Sequence, residues 1–127
     1  MIRAYAALVG ITLVVVGLLG FISNPIVGDG NALFLTGTMH NIVHIATGAL
    51  ALAIAFVLPA DQQVNGVLGF GVLYAVIFVA LLISPNLFGI LAYNVNLADQ
   101  LLHIGLAAVS VGIAWMVRSG AYTTATA

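Results

Sequence analysis

The sequence predicts an all-α integral membrane protein, a four-helix bundle built from two repeated helical hairpins. Three observations carry this expectation. Apolar residues make up 64% of the 127-residue chain and charged residues only 4%, against roughly 25% charged in a soluble domain. The apolar residues gather in four runs that approach or exceed the roughly 20 residues a helix needs to cross a bilayer. The two halves of the chain also repeat one another at their polar positions. A length of 127 residues fits one transmembrane domain covering residues 1–127.

The first span is expected from about Ala4 to Ile22, ending at "SNP" (Ser23 to Pro25). A cleaved signal peptide is the competing reading of this segment. The run exceeds a typical signal core, however, and "FISNP" lacks the small-x-small cleavage pattern, so a retained helix is expected. The second span runs from about Thr38 to Leu58 and stops at "PADQQ", with "PADQQVN" read as a short link. The third covers about Gly66 to Ile83 and stops at "SPN". The fourth covers about Leu97 to Val117, with Asn96 placed to cap its start and Arg118 after its end. Proline ends helices because it lacks an N–H and crowds the preceding turn. Helices are expected over strands because the runs are long, rich in Leu and Ala, and do not alternate. A lone helix satisfies its own backbone in lipid, which an open strand cannot.

The formal charges are Arg3, Asp29, Asp61, Asp99 and Arg118. Two basic residues are too few for a phosphate backbone, which excludes nucleic acid as a partner. The absence of cysteine removes disulfides, thiolate metal sites and thiol nucleophiles. No nucleophile elbow surrounds Ser23, Ser84, Ser110 or Ser119, and no glycine-rich phosphate loop precedes a helix. An enzyme is therefore not expected. Arg3 and Arg118 flank the first and last spans on one face, which the positive-inside rule makes cytoplasmic. The expected location is the inner (cell) membrane, multi-pass, with both termini cytoplasmic and residues 23–37 and 84–96 outside.

The internal repeat aligns "FISNPIVG" (Phe21 to Gly28) with "LISPNLFG" (Leu82 to Gly89), and "HNIVHIATGALALAIAF" (His40 to Phe56) with "DQLLHIGLAAVSVGIAW" (Asp99 to Trp115). His44 then corresponds to His103, Asn41 to Gln100, and His40 to Asp99. Each half is a helix, an outer loop and a returning helix, which implies a pseudo-two-fold axis along the membrane normal. His40, His44 and Thr47 share one stripe of the second helix, with Asn41 beside it. On the fourth, Asp99 and His103 lie one above the other, with Gln100 adjacent. Ionisable groups within spans face the bundle interior and find partners, so these clusters are expected to meet.

On these residues, "HNIVHIATG" and "LFGILAYNVNLADQLLHIG" (Leu87 to Gly105), the chain resembles a family of small bacterial four-helix membrane proteins catalogued as a domain of unknown function. The resemblance runs from the first span to the fourth. It implies a four-helix integral membrane fold and brings no activity, cofactor or catalytic residue with it.

Four readings compete for the polar cluster of His40, Asn41, His44, Thr47, Asp99, Gln100 and His103. The first is structural: side-chain hydrogen bonds join helices two and four and cap their first turns, each bond being worth about 0.6 kcal/mol, with no cofactor. The second is a haem or chlorophyll-type pigment ligated by His44 and His103 from facing helices. The third is a metal ion held by His40, His44, Asp99 and His103, since His-x-x-x-His puts two imidazoles on one helical face, or with Asp99 orienting a ring from behind. The fourth, a proton or small-solute path, lacks polar groups beyond Thr47 and Ser110. Gly10, Gly17, Gly66 and Gly69, with the alternating alanines Ala49 to Ala55, are expected to permit close helix contact. Tyr5, Tyr74, Tyr93, Trp115 and Tyr122 are expected near the membrane interfaces, and the tail "SGAYTTATA" is expected to be mobile. Taken together, these residues predict a non-enzymatic accessory or scaffolding subunit in contact with lipid and with partner subunits or further copies of itself. The alternative is a haem, pigment or metal binder.

Overall fold

Helices form where the apolar runs lie: α1 (Ile2–Leu19), α2 (Thr38–Phe56), α3 (Ala60–Ile83) and α4 (Leu97–Arg118). The structure is a computed structural model that describes residues 1–121; Tyr122 and the tail beyond Ala121 lie outside the described residues. All four helices are long and apolar enough to cross a membrane. Their outward faces carry large exposed apolar side chains such as Leu8, Val15, Val76, Leu101 and Trp115.

The closest backbone packing is α1 against α2 and α3 against α4. Glycine makes the first contact possible. A Cβ added to Gly10 would lie 2.7 Å from the Leu52 side chain and 2.9 Å from the Gly48 carbonyl, and one added to Gly48 would lie 2.8 Å from the Gly10 carbonyl. With no hydrophobic drive between helices in lipid, such backbone approach supplies the dispersion contact that holds them together. Gly17 and Gly66 lie in similar contacts, as expected, but Gly69 has nothing within 4 Å. It sits on an open face, and Gly71 takes the close position instead, against Ser110 and Val111.

These contacts also fix direction. Gly10 faces Gly48 and Leu52 while Gly17 faces Asn41 and Ile45, so α1 and α2 run antiparallel. Gly71 faces Ser110 while Asn65 is hydrogen-bonded by Arg118, so α3 and α4 do too. Both long loops therefore share one end of the bundle, the loop end. Met1, the α2–α3 connection and Ser119 share the other, the terminal end. Between them lies a core of small and medium side chains that includes Ala6, Leu13, Ala51, Ile54, Val67, Phe70 and Ala107.

The largest departure from the sequence expectation is the start of α3, six residues before Gly66. The expected link "PADQQVN" is Pro59 followed by the first turns of the helix. Asp61 lies in the first turn, where a carboxylate complements the helix dipole. Gln63 is buried, and its Nε2 donates to the Ala55 and Leu58 carbonyls at 3.2 Å each, satisfying acceptors left over at the end of α2. Polar residues that look like a link are thus the capping apparatus of two helices.

The first long loop is organised by Asn24. Its Nδ2 donates to the carbonyls of Leu19, Ile22 and Val27, and its Oδ1 accepts the N–H groups of Ile26 and Val27. Beyond it, β1 (Val27–Gly28) pairs in parallel with β2 (Phe34–Leu35). In the second loop, Asn86 Oδ1 accepts from the Ser84 hydroxyl and the Gly89 N–H, while Leu87, Phe88 and Gly89 turn through positive φ of 53°, 58° and 90°.

Candidate functional site

The start of α4 is a reciprocal cap. Asn96 Oδ1 accepts the Asp99 N–H at 2.9 Å, and the Asp99 carboxylate accepts the Asn96 N–H at 3.2 Å, satisfying two orphan donors of the first turn. The first loop is tied onto it. Asn96 Nδ2 donates to the Leu33 carbonyl at 2.8 Å, and the backbone of Leu35 lies beside both the Asp99 carboxylate and the His40 ring. One short strand thereby anchors the beginnings of α2 and α4 together.

Just inside this anchor three imidazoles meet. His40 and His44 are one turn apart on α2, and His103 projects from α4 one turn after Asp99. Ring centroids are 4.4 Å apart for His40 and His44, 5.9 Å for His40 and His103, and 6.4 Å for His44 and His103. One ring nitrogen from each lies within 4.8 Å of the others. All three are buried: His40 is 5% exposed, His44 2% and His103 3%. Between them and the neighbouring helices is a cavity of about 40 Å³, lined also by Val43, Tyr74, Ile77, Leu81, Leu87 and Leu91.

The hydrogen bonding around the rings is uneven. The Leu35 backbone lies beside His40, and His103 Nδ1 lies 3.4 Å from Gln100 Oε1. On His44 both Nδ1 and Nε2 are buried with no hydrogen-bond partner. A neutral imidazole carries one donor and one acceptor, and each left unmade costs about 1–3 kcal/mol.

Not every residue of the expected cluster joins this site. Thr47 shares a 2.8 Å hydrogen bond with Tyr74 Oη on α3. Asn41 turns the other way, with its amide against Gly20 of α1. Asp99 is taken by the α4 cap and lies beside the Leu35 backbone, so it stands behind the histidines rather than among them. Side-chain hydrogen bonds between α2 and α4, expected of the structural reading, are absent among the described residues; the two helices meet here through their histidine rings.

Tyr74 is the residue that sequence reasoning misplaced. Instead of marking an interface, it is 1% exposed at the middle of α3, bonded to Thr47, with its ring 6.0 Å from that of His103. Its position far from either end of its span was the available signal, because a phenol in hydrocarbon needs a partner. Tyr5 is likewise drawn inward, sharing a 2.6 Å hydrogen bond with Ser110.

Chemically, three imidazoles on two helices around a small cavity form a nitrogen-rich ligand set. Imidazole suits zinc, copper, iron and nickel. Four-coordinate zinc with bonds near 2.0–2.1 Å needs neighbouring nitrogens about 3.3 Å apart, against the separations of up to 4.8 Å found here. Acceptors behind His40 and His103 are the arrangement that fixes the tautomer of a ligating ring.

No curated protein and no solved structure matches the chain. The family model described as Domain of unknown function (DUF4383) matches residues 3–116, nearly the whole chain, and the protein belongs to that family.

Proposed function

We propose that the protein is a small membrane protein that holds a late first-row transition-metal ion, zinc or copper, on His40, His44 and His103. The observation that carries this reading is His44, whose two ring nitrogens are buried without partners in a cluster with two further imidazoles. If the histidines only joined helices by hydrogen bonds, this ring, the least exposed of the three, would have partners of its own. Three neutral nitrogens leave a fourth coordination position, as in metal sites that exchange a ligand. The cavity of about 40 Å³ that the three histidines help to line is large enough for a water-sized ligand.

The same volume weighs against a haem or chlorophyll-type ring at His44 and His103, since ligand pockets of that kind run to about 300–1,000 Å³. The accessory-subunit reading rests on the exposed apolar faces, which lipid covers as well as a partner does. Arg3 and Arg118 at the terminal end favour a cytoplasmic position for that end, which puts the histidines toward the outer face of the cell membrane.

Metal content tests this proposal. Protein purified from membranes, dialysed against zinc or copper and then freed of unbound ion, is expected to retain one ion per chain. The His44→Leu variant is expected to retain none while keeping its helical circular dichroism. Wild-type protein without stoichiometric metal, or a His44→Leu variant that binds as well, would overturn it.

A further inference from the structure

A second group of unsatisfied polar atoms lies on the other side of α2. Thr36 Oγ1 and Asn41 Oδ1 are buried without hydrogen-bond partners, and their residues are 1% and 2% exposed. Both line a groove of about 780 Å³ at the loop end, walled by the end of α1, both long loops and the start of α2. The groove is large enough for a small organic molecule. Gly20 makes room for the Asn41 amide, because a Cβ there would overlap it.

The chemistry of the wall selects the ligand. Thr36 Oγ1 and Asn41 Oδ1 both accept hydrogen bonds, and the one charged side chain in the wall is the carboxylate of Asp29. Neither arginine is near: Arg3 and Arg118 belong to the terminal end. Such a field disfavours anions and raises the local concentration of cations. A bare calcium ion would want six to eight oxygens at short range, which one carboxylate in so wide a groove does not offer. An ammonium group matches this wall better in kind, since it brings three donors to a wall whose residues supply two unpartnered acceptors and a carboxylate. Phe21 and Tyr93 add aromatic faces to the same wall, which attract organic cations.

We infer that the groove formed by Thr36, Asn41 and Asp29 at the loop end binds a primary ammonium group, either on a free amine or on the headgroup of an amino-lipid. The site is separate from the histidine cluster and does not depend on a metal there.

Ethanolamine tests it, with ethylene glycol as the uncharged counterpart. In detergent micelles, titration with ethanolamine is expected to shift the Asn41 side-chain amide resonances saturably, and ethylene glycol is expected to leave them in place. Asp29→Asn, a change on an exposed loop, is expected to weaken ethanolamine about three- to tenfold at low salt, and less as salt screens the charge. Gly20→Ala, which fills the space beside Asn41, is expected to abolish the shift. If the source is lipid, nanodiscs containing phosphatidylethanolamine will produce the same shift without added amine, and phosphatidylcholine nanodiscs will not. If the source is a free amine, ethanolamine will act equally in both. Absence of a saturable shift, equal effects of ethanolamine and ethylene glycol, or undiminished binding by a folded Asp29→Asn variant would each overturn the inference.

Discussion

The two ends of the bundle differ in how completely they satisfy their polar groups. At the terminal end Gln63 donates to two carbonyls of the α2 terminus, and Arg118 reaches Asn65 across the α3–α4 pair. Nearer the middle, Tyr5 meets Ser110 and Thr47 meets Tyr74. At the loop end, within residues 36–44, lie all the buried side-chain atoms found without a partner among the described residues: Thr36 Oγ1, Asn41 Oδ1 and both ring nitrogens of His44. A membrane interior makes unmade bonds expensive. The contrast places the unmade bonds within residues 36–44 at the loop end and leaves the buried polar groups of the terminal end paired.

The sharpest break of this comparison is at the histidines. His103→Leu is expected to lower zinc or copper affinity by about a hundredfold or more, close to 2.7 kcal/mol, measured by competition with a chelator. In metal-free protein, His44→Leu is expected to leave stability unchanged or raised, because an apolar side chain replaces two unsatisfied nitrogens. A marked loss of metal-free stability would mean that His44 has partners after all, and the two ends would then be alike.

Next in size are the backbone contacts that hold both ends in place. Gly48→Val forces side-chain atoms into the Gly10 carbonyl and Val14 and is expected to destabilise by about 1–3 kcal/mol in reversible unfolding in mixed micelles. Gly69→Ala, on an open face, is expected to stabilise by up to about 1 kcal/mol through helix propensity. The paired groups should behave as pairs. Tyr74→Phe is expected to cost about 1 kcal/mol through loss of the buried bond to the Thr47 hydroxyl, which keeps its bond to the Val43 carbonyl. The double change with Thr47→Val should cost less than the two single changes summed. The smallest effect is expected of Arg118→Gln. Its bond to Asn65 is exposed, so the change should fall within about 0.5 kcal/mol.

Much of this was legible in the residues themselves. The apolar runs located four helices because span length is set by bilayer thickness, and Asn96 announced the start of α4. The i,i+4 spacing of His40 and His44 put both on one face, and the matching "LLHIG" singled out His103 as the ring to meet them. The start of α3 was hidden because Asp61, Gln62 and Gln63 are polar for a capping reason that only the end of α2 reveals. Asp99 read either as a metal ligand or as an acceptor behind a ring, and its carboxylate is engaged by the first turn of its own helix. The pairing of Val27–Gly28 with Phe34–Leu35 had no periodic signal at two residues per strand. The separation of Asn41 from the histidines depends on which side α1 packs, and the close approach at Gly17 and Gly20 decides that.

X-ray absorption spectroscopy of the protein loaded with one equivalent of zinc or copper tests the central claim most directly. The account predicts a first shell with three imidazole nitrogens at about 2.0–2.1 Å, falling to two when His44 is replaced by leucine if any ion remains bound. A shell of water and carboxylate oxygens, or one that His44→Leu leaves unchanged, would contradict it.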